Sequence, residues 1–107
     1  MELKQYSIVL VNLDPTVGSE IKKTRPCVII SPNEINKFLN TIVVAPMITN
    51  LKKYPTRIEV NLNNTKGMIA IDQIRMIDKS RIIKEFEKLS KVEIQKCKRI
   101  IQEAFVD

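Results

Sequence analysis

Ser7-Ile-Val-Leu-Val-Asn-Leu-Asp-Pro-Thr-Val-Gly-Ser-Glu-Ile-Lys-Lys-Thr-Arg-Pro-Cys-Val-Ile-Ile30 sets two short apolar runs on either side of a polar loop. The first run, to Leu13, is rich in β-branched residues and nearly continuous in apolar character, which is the pattern of a strand covered on both faces. The second, Cys27 to Ile30, reads the same way. Between them Asp14-Pro15 starts a turn, Gly18 can adopt backbone angles closed to other residues, and Pro26 biases Arg25 toward an extended conformation. The Arg25 guanidinium is therefore expected at the mouth of a strand, with Lys22 and Lys23 close by. This loop is the candidate functional face.

Downstream, Ser31-Pro32-Asn33-Glu34 has the form of a capping box with proline at the first helical position, and predicts a short helix through about Phe38. Thr41 to Ala45 predicts a third strand, closed by Pro46 and followed by the basic loop Leu51-Lys-Lys-Tyr-Pro55. Arg57 to Leu62 alternates, with Ile58, Val60 and Leu62 on one face and Arg57, Glu59 and Asn61 on the other, so this strand is expected to be half exposed. Asn63 to Gly67 reads as a turn. Met68 to Ile77 reads as one long final strand whose apolar pattern breaks at Asp72-Gln73, and Asp78 to Arg81 as a turn. Ser90-Lys-Val-Glu93 is a second capping box, opening a helix to about Phe105. Ile94, Cys97, Ile100, Ile101, Ala104 and Phe105 form its apolar side, opposite Lys96, Arg99 and Glu103.

At 107 residues the chain accommodates one domain, 1–107, with a core that needs no disulfide or metal staple. Two glycines and five prolines, with 44% hydrophobic residues, argue against disorder. A net charge of +6 favours an acidic partner, nucleic acid foremost. Lys22, Lys23 and Arg25 in one loop, with Lys52 and Lys53 in another, suggest two positive loops flanking one groove. Cys27 and Cys97 lie in apolar surroundings without CxxC spacing, and no histidine is present to complete a zinc site, so both are expected to be core thiols. The N-terminus lacks the apolar segment of a signal peptide and no run is long enough to span a bilayer, which predicts a cytoplasmic protein without a membrane partner.

About five short strands in mostly sequential order, long polar loops and one late helix predict a small, strongly curved antiparallel sheet, closed as a partly open barrel with its binding surface on the loops of one rim.

The run Val11 to Glu20, the block Thr24-Arg-Pro-Cys-Val-Ile-Ile-Ser-Pro32, Pro46-Met-Ile-Thr49 and Ile71-Asp-Gln-Ile-Arg-Met-Ile-Asp-Lys-Ser-Arg81 together resemble the MazF/PemK (Kid) toxins of type II toxin-antitoxin systems. Several ordered blocks across nearly the whole chain make the resemblance specific. It implies a mainly β fold with α elements, a small SH3-like plasmid-maintenance-toxin barrel of about five to seven antiparallel strands with a C-terminal helix. It implies a homodimeric, ribosome-independent endoribonuclease that cuts single-stranded mRNA at short sequences without metal or other cofactor. The products would carry a 2′,3′-cyclic phosphate (or its opened 3′-phosphate) and a 5′-hydroxyl, and a small acidic-tailed antitoxin of the MazE kind would neutralise the enzyme.

By motif match the family's catalytic arginine falls on Arg25 and its catalytic threonine on Thr49, while Asp72 and Gln73 match the Asp-Gln pair beside the RNA groove. The resemblance also puts RNA along Thr16, Val17, Ser19, Lys22, Lys23 and Thr24 of the first loop, Lys52 and Lys53 of the second, and Gln73. Two of three residues of the Kid-type catalytic set are replaced, the histidine by Ser19 and the arginine by Ala70, so the chain is closer to the MazF branch. The usual Gly-Asp before the first strand is Tyr6-Ser7 here.

Cleavage of RNA by its own 2′-hydroxyl requires in-line geometry, removal of the nucleophile's proton, stabilisation of the phosphorane and a proton for the leaving 5′ oxygen. Arg25 suits the phosphorane because its planar fork can bind two phosphate oxygens and stays charged. Thr49 offers a hydroxyl to the same oxygens. Glu20 and Asp72 are the orthodox base candidates. Tyr54 either stacks on a base or packs. Two other readings remain open at this point: a gyrase poison of the same barrel, as in the CcdB relatives, and a noncatalytic RNA-binding module.

Overall fold

The computed structural model describes residues 2–13 and 24–106. Seven strands and two helices follow in the order β1 (Ser7–Asn12), β2 (Thr24–Ile29), α1 (Asn33–Phe38), β3 (Thr41–Ile48), β4 (Arg57–Leu62), β5 (Thr65–Ala70), β6 (Arg75–Asp78), β7 (Ile82–Lys88) and α2 (Lys91–Phe105). Short 3-10 turns at Ile71–Gln73 and Lys79–Arg81 flank β6. The sheet runs β4-β5-β3-β2-β1-β7, every pairing is antiparallel, and β6 joins β3 off this path. With one late helix, this is the mainly β, curled architecture expected.

The continuous apolar character of β1 and β2 has a direct cause, since alternate residues serve two cores. Ile8, Val28, Ala45, Met47 and Ile69 belong to one cluster, onto which Ile94, Ile100 and Ile101 of α2 pack. Val9, Val11, Cys27, Ile29 and Val44 belong to the other, closed by Ile42 and Ile77 with Leu3, Leu13 and Ile82 around it. The register agrees, because Ile8 faces Val28 and Val28 faces Ala45, while Val9 faces Cys27. A strand in this position buries both faces, so it cannot show a polar alternation.

Several expectations are corrected. Pro46 does not close β3; it lies inside the strand opposite Cys27. It falls between the ladder to β6, over Thr41 to Val44, and the ladder to β5 at Met47 and Ile48, an interval in which a missing N–H breaks no regular pairing on that side. Met68 to Ile77 is not one strand. It is the end of β5, a 3-10 turn at Asp72-Gln73 and most of β6, so that β3 is lined by two successive strands.

The first capping box is absent. Ser31 Oγ turns inward to accept from the Val43 N–H at 3.1 Å and to bond Asn36 Oδ1, while Asn36 Nδ2 donates to the Ser31 carbonyl at 2.8 Å. The second is present: Glu93 N–H donates to Ser90 Oγ and Ser90 N–H to Glu93 Oε1. At the end of α2, Ala104 and Phe105 are exposed, Phe105 at 58%, so the packed stripe stops at Ile101. β7, which follows the Asp78 to Arg81 turn, is absent from the sequence reading. It is an edge strand against β1 with five exposed positions of seven, and its charged residues give no apolar signal.

Candidate active site

Antiparallel pairing of β2 with β3 brings the start of one strand to the end of the other. Arg25 lies at the start of β2, opposite Val11 of β1, and Thr24 beside it faces Asn12. Thr49 follows Ile48, the last residue of β3. The ladder from Ile29↔Val44 to Cys27↔Pro46 runs toward this common end. A cleft of about 260 Å³ opens there, lined by Pro26, Met47, Ile48, Thr49 and, across the β4–β5 hairpin, Leu62, Asn63 and Gly67. Thr49 lines this cleft and Arg25 adjoins it through Pro26, so the two, distant in sequence, lie at one rim of the sheet. Both side chains are exposed, and among the described residues neither has a hydrogen-bond or ion-pair partner. The backbone behind Arg25 is anchored by the Cys27 thiol, which donates to the Arg25 carbonyl at 3.6 Å.

Gly67 is required by this cleft. A Cβ there would meet Met47 Cε, Met47 Cγ at 2.9 Å and the Ile48 carbonyl oxygen at 3.2 Å. At Gly67 the opposite wall is therefore bare backbone, which allows the end of β3 to come close.

Asp72 is held elsewhere. The register of β5 on β3 runs from Met68, opposite Ile48, through Ile69, opposite Met47, so β5 leads away from Thr49 toward Ala70 and the 3-10 turn. There the Asp72 carboxylate accepts from Arg57 Nε at 3.0 Å and Nη2 at 3.3 Å, and from the Thr56 hydroxyl at 2.8 Å. The Arg57 hydrogen bonds, with the Thr56 bond added, hold its carboxyl below the usual 3.8. Gln73 is exposed next to it, at the end of the same 3-10 turn.

Lys52 and Lys53 are exposed on the loop joining β3 to β4. The Lys52 N–H donates to Asn50 Oδ1 at 3.0 Å, and its ammonium lies 5.2 Å from the Tyr54 ring centroid. Arg57 covers the same ring at 4.9 Å. Of the other sequence candidates, Thr16, Val17, Ser19, Glu20, Lys22 and Lys23 lie outside the described residues.

Arg57 and Arg75 were not singled out from the sequence. Arg57 sits at an alternating strand position where its charge reads as solvent-facing, and only its ion pair with Asp72 reveals its role in ordering the loop. Arg75, exposed on β6 opposite Val44, acts with Arg25 to oppose the burial that pushes the Cys27 thiol up to about 12. Among the described residues no three Cys, Asp or Glu side chains form a metal-binding group, and no helix is long and apolar enough to cross a membrane.

Residues 4–105 match the family model of the PemK-like, MazF-like toxins of type II toxin-antitoxin systems. The chain belongs to this family. It is 33% identical over 104 residues to an endoribonuclease MazF of Staphylococcus saprophyticus, covering 92% of this chain and 84% of that one. The fold is shared with MazF of Deinococcus radiodurans, at a TM-score of 0.79 and 19% identity over 96% of both chains. It is also shared with a mycobacterial endoribonuclease solved with its cognate antitoxin, at a TM-score of 0.82 and 16% identity over 95% and 93% of the two chains. In this MazF-like toxin Arg25 and Thr49 lie at the end of the sheet where β2 begins and β3 ends.

Proposed function

We propose that this MazF-like toxin is a metal-independent, ribosome-independent endoribonuclease. In this reading a homodimer cuts single-stranded mRNA at short sequences and so halts translation, and a MazE-like antitoxin with an acidic tail restrains it. The observation that carries the reading is the placement of Arg25, at the start of β2, and Thr49, just past the end of β3, at the same end of the sheet, both without a partner of their own among the described residues, in a chain matched to the family over residues 4–105.

The chemistry follows from those groups. The 2′-oxygen of the nucleotide before the cut attacks phosphorus, the bond to the 5′ oxygen breaks, and a 2′,3′-cyclic phosphate and a 5′-hydroxyl result. Arg25 stabilises the charge that grows on the non-bridging oxygens and Thr49 donates to one of them, which aligns the phosphate for in-line displacement. Asp72 is ionised at neutral pH, yet its carboxylate is held by Arg57 and Thr56 and its basicity is lowered, so it suits positioning of the loop better than proton removal. Glu20, outside the described residues, is then the acid–base candidate. RNA entering this rim would run past Thr24, Lys52 and Lys53; Ser19, Lys22 and Lys23, outside the described residues, are its further candidates from the sequence.

Purified protein incubated with RNA in EDTA tests the reading. Cleavage is expected, with 5′-hydroxyl ends whose sequencing gives the recognised motif. Arg25→Ala should lower the rate about a hundredfold or more, and Thr49→Ala should follow in the same direction. Absence of cleavage by the wild type, gyrase-dependent DNA breakage in its place, or undiminished cleavage by Arg25→Ala would remove the proposal.

A further inference from the structure

A second positive depression lies away from the Arg25–Thr49 rim. Between the edge strand β4 and helix α2 is a cleft of about 270 Å³ whose lining includes Lys53, Tyr54, Arg57, Lys96 and Arg99. A shallower trough of about 450 Å³ on the outer side of α2 is lined by Lys91, Val92, Gln95, Lys96 and Arg99. Because Lys96 and Arg99 line both, the two depressions adjoin, and together they run from Tyr54 along the helix. From Arg99 to Lys91 the helix advances roughly 12 Å.

The charges in this groove are mostly available. Lys53, Lys91, Lys96 and Arg99 have no ion pair or hydrogen-bond partner among the described residues. The one acidic lining residue, Glu59, is 3.6 Å from Lys66. At the head of the groove Tyr54 is 44% exposed; Arg57, fixed by its two hydrogen bonds to Asp72, lies over its ring at 4.9 Å and the Lys52 ammonium at 5.2 Å. The guanidinium is itself held in place, the lysine is on a flexible stem that a base can displace, and nearly half of the residue is open to solvent. The groove also connects to the first rim: Thr49 and Tyr54 are five residues apart, at most about 18 Å of extended chain, and Lys52 and Lys53 lie between them.

We propose that this groove, from Tyr54 along α2 to Lys91, holds the phosphate backbone of single-stranded RNA flanking the cleaved bond. Lys96 and Arg99 neutralise successive phosphates, Lys53 bridges from the reacting rim, and Tyr54 gives one base a stacking surface. The combination of unpaired cations along a track with an aromatic ring at its head is how sequence-tolerant single-strand binding is built. The assignment rests on the ribonuclease reading, and its test is arranged so that the two can fail separately.

Binding of fully 2′-O-methylated RNA, which cannot attack itself, is measured across salt concentrations for the wild type, Lys96→Gln/Arg99→Gln and the charge-matched control Lys37→Gln/Lys84→Gln. Each neutralised phosphate contributes about 0.7 to the slope of log affinity against log salt, so the groove variant should lose about 1.4 while the control keeps the wild-type slope. Tyr54→Ala should weaken binding about fivefold or more with little change in slope. An unchanged slope in the groove variant, or an equal loss in the control, overturns the proposal. So does loss of binding to a polyglutamate peptide with the RNA slope intact, which would give the groove to an acidic protein partner. Wild type that cleaves no unmodified RNA, together with the expected loss of slope, removes the ribonuclease reading and leaves the groove standing.

Discussion

Tyr6 enters β1 with φ of 68°, the left-handed region where glycine is at ease and other residues are strained. The conformation is held from both sides: the Tyr6 N–H donates to the Ile29 carbonyl at 2.7 Å and its carbonyl accepts from the Leu89 N–H at 3.0 Å. The ring is only 7% exposed and packs in the core under α2. Burial and backbone strain therefore oppose one another at one residue. Both Tyr6→Ala and Tyr6→Gly should destabilise by losing the ring, but the glycine variant should be the more stable of the two by about 1 kcal/mol, the reverse of the usual order. Denaturant midpoints ranking alanine above glycine would refute the strain argument. A second residue-scale expectation concerns Asp72. Its carboxyl is lowered in the folded state mainly by the Arg57 hydrogen bonds, so the stability this gives is complete above the ordinary value of 3.8 and is lost as pH falls through the lowered one. Wild type and Asp72→Ala should differ in melting temperature by a small constant amount at neutral pH, small because the carboxylate is 38% exposed and screened. The gap should close below about pH 4; a gap that persists unchanged at pH 3 would show that the ion pair is not its source.

At the scale of elements, the β4–β5 hairpin shows how a turn shapes a site. Asn63 and Asn64 have φ of 50° and 63°, the two positive angles of a type I′ turn, and Leu62 faces Thr65 directly. The Asn63 to Gly67 turn read from the sequence is thus two residues long, and β5 begins earlier than expected. Gly67 consequently lies within a strand, opposite Val60 and against Met47, as one wall of the Thr49 cleft. Gly67→Ala should destabilise by about 1 to 3 kcal/mol through overpacking and should lower RNA cleavage beyond the loss of folded protein, because Met47 must move at the end of β3. Cleavage per folded molecule equal to wild type would separate the cleft wall from the chemistry. The strands with strong alternation or continuous apolar character, β1, β2 and β4, were legible in the sequence. β7 was not, because an edge strand that exposes Lys84, Glu85 and Glu87 derives its conformation from pairing with β1.

Taken as a whole, the barrel buries its two cysteines in different cores, Cys27 in one and Cys97 in the other. Burial pushes both thiols up to about 12. At pH 8 only roughly one thiol in 10⁴ is ionised in the folded molecule, so alkylation should be negligible until the chain unfolds, and its rate should track global opening. Rapid labelling of either thiol in native protein would contradict the burial of that core. Arg25 and Thr49, by contrast, are exposed, so their alanine variants should label no faster than wild type, which ties any loss of cleavage to chemistry. The apolar runs and the capping box of α2 were legible in local periodicity, and an ordered set of motif residues carried the resemblance to the family and, through it, the two reacting-centre candidates. Only the tertiary structure decided that β3 is shared by three partners, that Pro46 fits inside it, that Asp72 is bound by Arg57, and that Lys96 and Arg99 line the same cleft as Tyr54. Those facts arise from pairings between strands and packing of a helix far along the chain, and contacts between distant residues leave no periodic mark in the sequence.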